Sequence, residues 1–216
     1  MNTASARYRT LTGAASLVVG PALMSIGDLL HPAESFDPAV QVAIIEQAAA
    51  RWYTAHLLLF VGLLLLVPGF LVLTKLATLR RPAAAYAARL LLIVSIGAFS
   101  AVFAFEMLLG RFISSGADQA SAVALLETFQ SAEVFGALVP GLLAFFIGIA
   151  LFVTSVARSA GPFRWPALIL ALGAALILGE IVLSEVRLSQ IGNVLILVAG
   201  AGFARRLLSD PEALPA

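Results

Sequence analysis

The chain has 216 residues, of which 61% are hydrophobic and 12% charged, against roughly 45–50% and 25% in a soluble domain; its mean hydropathy is +1.03. So much apolar surface cannot be hidden inside a water-soluble body of this size, so lipid is the expected solvent. A net charge of +1 and the lack of a basic block argue against nucleic-acid binding, and the absence of cysteine excludes disulfides, thiolate metal sites, iron–sulfur clusters and cysteine nucleophiles.

About 20 mostly apolar residues are needed to cross a hydrocarbon core of roughly 30 Å. Six segments meet that demand: 11–30, 53–77, 84–110, 132–157, 165–184 and 188–204. The expected fold is therefore an all-α polytopic membrane bundle of six transmembrane helices. It divides into a cytoplasmic N-terminus (1–10), one transmembrane domain (11–204) and a cytoplasmic tail (205–216). The first segment follows Arg7 and Arg9, as a secretory signal would. Its length, the presence of Asp28 and the lack of a small-x-small cleavage site favour a retained helix, with cleavage as the alternative. A hairpin at 185–187 separates the last two spans, since a turn at Gly192 and Asn193 would leave the sixth too short.

Cytoplasmic loops are enriched in lysine and arginine. Arg7, Arg9, Lys75, Arg80, Arg81, Arg89, Arg158, Arg164, Arg205 and Arg206 fall on one side of such a bundle, and Arg51, Arg111 and Arg187 on the other. The expected orientation has both termini inside, in a bacterial inner membrane. The two longer loops are then both non-cytoplasmic. Asp37-Pro38 is an N-cap and first-turn pair, after which Val40, Ile44, Ile45 and Ala48 recur at helical spacing. Ala122, Leu125, Leu126 and Phe129 do the same after Gly116. Each loop is expected to carry a short amphipathic helix on the membrane surface or the end of the bundle.

Leu-Val-Pro-Gly occurs at 66–69 and again at 138–141, so the unit of span, surface helix and proline-bearing span is a candidate duplication. Pro68 and Pro140 should kink their spans and free the carbonyls of Leu64 and Gly136. Gly97, Gly148, Gly173, Gly200 and Gly202 suit close helix packing.

Ionisable side chains within spans are costly and mark functional sites by default. Asp28, His31, His56, Glu106, Glu133 and Glu180, with the amide of Asn193, all fall in the non-cytoplasmic half. At about 1.5 Å per residue, those within spans lie roughly 7–9 Å inside the outer boundary. They compose a candidate polar layer for a small ligand, a proton or a metal ion, with Trp52 and Tyr53 marking the interface and Tyr53 as a donor to it. The competing structural reading is of wet span ends, with Arg111 or Arg187 pairing Glu106 or Glu180. By ligand type the metal set is His31, His56, Glu106 and Glu180, suited to zinc, iron or manganese. Haem held by His31 and His56 is a weaker alternative.

Three functions fit such a layer. One is a membrane-embedded metal-dependent enzyme, with Glu106 or Glu180 as general base. Another is proton-coupled transport, although spans two and four carry no acidic group across their inner halves. The last is a non-catalytic assembly subunit, whose partners beyond the lipid bilayer would be a second copy or another membrane subunit. The runs Leu29-Leu30-His31-Pro32, Arg51-Trp52-Tyr53-Thr54-Ala55-His56-Leu57-Leu58-Leu59 and Leu66-Val67-Pro68 resemble small multi-pass bacterial membrane proteins grouped as domains of unknown function. That resemblance implies a polytopic inner-membrane protein and transfers no activity or site.

Overall fold

The computed structural model describes residues 3–78, 81–157, 161, 163–183 and 186–209, with the backbone alone at 3–6, 76 and 186. Arg80, Arg158, the end of the fifth span at Ser184, the hairpin residue Glu185 and the tail beyond 209 lie outside the described residues.

Eight helices make up the described chain: α1 (Thr3–Leu30), α2 (Pro38–Gln47), α3 (Ala49–Thr78), α4 (Pro82–Ser114), α5 (Gln119–Gln130), α6 (Val134–Ala157), α7 (Arg164–Leu183) and α8 (Val186–Ser209). Six of them, α1, α3, α4, α6, α7 and α8, are long and apolar enough to cross a membrane. The α-helix satisfies every backbone polar group within the segment, which lipid requires. Prolines do not end these helices: α1 continues through Pro21, α3 through Pro68 and α6 through Pro140.

The six long helices form a closed ring in the order α1, α3, α4, α6, α7, α8, with α8 returning to α1. The main core runs through it, from Leu17, Leu66 and Phe70 to Phe145, Phe152 and Phe203. Large apolar residues such as Leu64, Ile93, Ile147, Leu172 and Val198 face outward, which explains a composition that is apolar inside and out.

Glycine sets the closest helix contacts. A Cβ on Gly20 would lie 2.8 Å from the Gly62 carbonyl oxygen, and one on Gly62 would lie 2.7 Å from that of Gly20. Gly27 is held 2.8 Å from the Ala55 carbonyl by the same measure, so α1 and α3 touch backbone to backbone along their length. Gly173 and Gly192 join α7 to α8 in the same reciprocal way, and Gly200 of α8 seats against the Leu17 carbonyl of α1. Gly148 packs on Leu92 and Gly202 on Pro166, but Gly97 has nothing within 4 Å and serves no contact.

The two short helices form where expected and cap one end of the ring, packing on each other and on α4. Asp37 caps α2 by accepting from the amides of Ala39 and Val40 at 2.9 and 3.1 Å. Asp118 caps α5, and its carboxyl is held below the usual aspartate range by the Ser121 hydroxyl and then by backbone amides. Gly116 turns the chain ahead of α5 with φ of 89°, a region other residues avoid. A second core joins Val42, Ile45, Trp52, Leu109, Ile113, Ala122 and Leu126 beneath this cap.

The buried face of α2 differs from the expected stripe. Gln41, Val42 and Ile45 point inward, while Val40 is 48% exposed. Gln41 Oε1 accepts the Ser35 amide at 2.6 Å, which satisfies the incoming loop and draws that polar residue inside. In α5, Ala122 and Leu126 are buried and Phe129 stacks on Phe105 at 3.7 Å, but Leu125 is exposed.

Replacing Gly62 by valine should force α1 from α3 and destabilise the protein by about 1–3 kcal/mol, as overpacking does, whereas Gly97→Ala should be neutral. Thermal unfolding of both variants in nanodiscs checks this, and equal melting temperatures would contradict the contact.

Candidate functional site

The polar residues gather beneath the α2–α5 cap, where α1, α4 and α7 end and α3, α6 and α8 begin. α1 stops at Leu30 because Pro32 disfavours helical geometry in the residue before it. His31 is left just past the helix end, its amide on the Asp28 carbonyl at 3.3 Å. Close seating of Gly27 on Ala55 brings that end onto the first turns of α3, where His56 stands one turn after Trp52.

His31 and His56 face each other with their Nε2 atoms 3.3 Å apart. Their side chains are nearly sealed, His31 at 5% exposure and His56 at 4%. His31 Nδ1 lies 2.8 Å from the Pro32 carbonyl, and His56 Nδ1 lies 2.9 Å from the Trp52 carbonyl. Carbonyl oxygens only accept, so both Nδ1 atoms must carry hydrogen. With both Nδ1 atoms protonated and both rings neutral, neither Nε2 carries a hydrogen, so the 3.3 Å contact is not a hydrogen bond between two neutral imidazoles.

Trp52 fixes both rings. Its indole centroid lies 4.7 Å from His31 and 4.6 Å from His56, and its Nε1–H donates to the Glu106 carbonyl of α4 at 3.1 Å. Trp52 is 2% exposed and ties α3 to α4, so it packs inside the bundle and does not face outward. Tyr53 makes no described hydrogen bond to the layer, and its ring instead carries the Arg111 guanidinium at 5.9 Å.

A second polar cluster joins α1, α7 and α8. The Asn193 amide donates to Asp28 at 3.0 Å, and the Ser189 hydroxyl is a partner of both Asp28 and Glu180. Glu106 points a fully buried Oε2 that has no hydrogen-bond partner. Neither Arg111 nor Arg187 pairs with these acids; the ion pair at the site is His31 Nδ1 to Glu34 Oε1, at 3.4 Å. The structural salt bridges anticipated for Glu106 and Glu180 are therefore not formed, because both arginines extend outward to the exposed surface.

Glu34 is a site residue outside the polar layer expected from the sequence. It is 58% exposed on the loop after α1, yet it lies within electrostatic reach of Glu106 and Glu180 as well as His31. Its spacing of three from His31 was a readable signal, obscured by the intervening Pro32. Ser189, four residues before Asn193 on the same helix face, was readable in the same way. Glu133 sits exposed in the turn before α6 and joins neither cluster.

Of the four candidate metal ligands, the structure brings two together, His31 and His56. Among the described residues no three His, Asp or Glu side chains converge as one ligand set. The direct ring contact, 4.7 Å between the imidazole centroids, leaves no slot for a porphyrin between them. No family model, curated protein or solved structure matches the chain, so the chemistry of the site rests on its geometry.

With Trp165 replaced by phenylalanine, Trp52 is the single tryptophan. Its emission should be blue-shifted and protected from iodide, and red-shifted, quenchable emission would contradict its burial. Trp52→Phe should cost about 1 kcal/mol for the lost hydrogen bond, and Trp52→Ala about 3–5 kcal/mol, both read from thermal unfolding.

Proposed function

We propose that the protein is a multi-pass inner-membrane protein, with both termini in the cytoplasm, that binds a small cation at an outward-opening site. The observation that carries this is the imidazole pair, whose outer nitrogens are tied to carbonyls and whose inner nitrogens stand 3.3 Å apart. Asp28 and Glu34 lie within electrostatic reach of His31, and neither has a lysine or arginine among its described partners.

Orientation is supported by the end of the bundle opposite the cap. Arg7, Arg9, Lys75, Arg81, Arg89, Arg164, Arg205 and Arg206 belong to helix ends or connections there, as the positive-inside rule requires. One-sided access is supported by the core between the two ends. The void lined by Leu17, Pro21, Leu66, Phe70 and Phe203 measures about 10 Å³, at the lower limit for a single water. That favours a binding site over a continuous path.

The chain has no cysteine, so single cysteines report sidedness cleanly. An impermeant maleimide should label Ala33→Cys in intact spheroplasts and Arg205→Cys only after lysis; the reverse pattern would overturn the orientation. For the site, a double-mutant cycle of His31→Gln and His56→Gln should show a coupling of about 0.5–3 kcal/mol in thermal stability. Strict additivity would overturn the shared cation.

A further inference from the structure

Building on that reading, we infer that the cation held between His31 and His56 is a divalent transition metal ion of the zinc type. The spacing is the first reason. Zinc–imidazole bonds are about 2.0–2.1 Å, so a tetrahedral angle separates two ligand nitrogens by about 3.3–3.4 Å. The two Nε2 atoms are 3.3 Å apart, the separation that two imidazoles sharing one such ion require, and a small rotation of the rings, whose centroids are 4.7 Å apart, would aim both at it.

The outer contacts are the second reason. Metal-bound histidines almost always give their other ring N–H to a carbonyl or carboxylate, which fixes the tautomer and aims the lone pair. Both rings have that arrangement here: His31 on the Pro32 carbonyl at 2.8 Å, with Glu34 at 3.4 Å, and His56 on the Trp52 carbonyl at 2.9 Å. Trp52, in contact with both rings, restrains their rotation. A pair of histidines that merely filled a core would not need both Nδ1 atoms anchored and both Nε2 atoms converged.

Ligand chemistry narrows the ion. Imidazole suits zinc, copper, iron and nickel, whereas magnesium and calcium prefer oxygen sets. Two protein donors are one fewer than reactive zinc sites use beside their open place, so the remaining coordination places fall to water or an exogenous donor. The nearby carboxylates of Glu34 and Asp28 offset the ionic charge without completing a three-residue set.

The test uses the full-length protein in nanodiscs with Trp165→Phe as background, and Zn²⁺ and Co²⁺ as probes. One Co²⁺ per chain should bind, quench Trp52 and be displaced by Zn²⁺. His31→Gln and His56→Gln should each weaken binding by more than the roughly 10–100-fold typical of outer-contact changes, while Glu133→Gln leaves it unchanged. Retained blue-shifted Trp52 emission in the histidine variants, without metal, shows that they remain folded. Metal binding that survives in the double histidine variant would overturn the assignment. So would an absence of binding while the His31–His56 coupling persists, and in that case the shared cation is a proton. Loss of both the binding and the coupling would reject the underlying site as well.

Discussion

The polar site depends on the backbone-to-backbone contact of α1 with α3. Gly20, Gly27 and Gly62 allow these helices to approach until carbonyl oxygens stand where a side chain would otherwise project. In lipid there is little hydrophobic drive between helices, and close packing of small residues supplies the association instead. At Gly27 that contact is one turn from His31 and directly beside Ala55 and His56. A wider helix separation would part the two imidazoles, which reach each other across this interface alone.

Two further constraints complete the site. The Trp52 indole, hydrogen-bonded to the Glu106 carbonyl, joins α3 to α4 and supports both imidazoles from one side. The cap made by α2 and α5 shares a core with the same tryptophan through Ile45 and Leu126, with Leu109 of α4 among them. The imidazoles are therefore closed on the helix side by apolar packing, and the loop after α1, with the exposed Glu34, borders them on the other. The acids Asp28 and Glu180 are linked through Ser189 and Asn193 on α8, which places a second polar cluster beside the pair.

Much of the architecture was legible because hydropathy reports length and solvent directly. All six long helices and both short ones fall where runs of apolar residues, the cap at Asp37 and the turn at Gly116 put them. Which face each helix buries was far less legible, because lipid is as apolar as a core and the outward and inward residues look alike. Trp52 and Trp165 read the same in sequence, yet one is buried and the other exposed. Gly97 and Gly62 likewise look alike, and only Gly62 meets a neighbouring helix. The residue types of the polar layer were readable, and Asp28, His31, His56, Glu106, Glu180 and Asn193 all lie at one end of the bundle. The pairing of His31 with His56, the part of Glu34 and the partition of Glu133 to the surface depend on helix rotation and loop path, which spacing does not encode.

The chain contains two histidines, so nitrogen-15 NMR of the imidazoles reads the central arrangement without assignment ambiguity. In the nanodisc-embedded protein both Nδ1 signals should be those of N–H groups, and the two Nε2 signals should move together when Zn²⁺ is added or removed. An imidazole with an unprotonated Nδ1, or Nε2 signals that respond independently as free solvent-exposed nitrogens, would contradict a single cation held between His31 and His56.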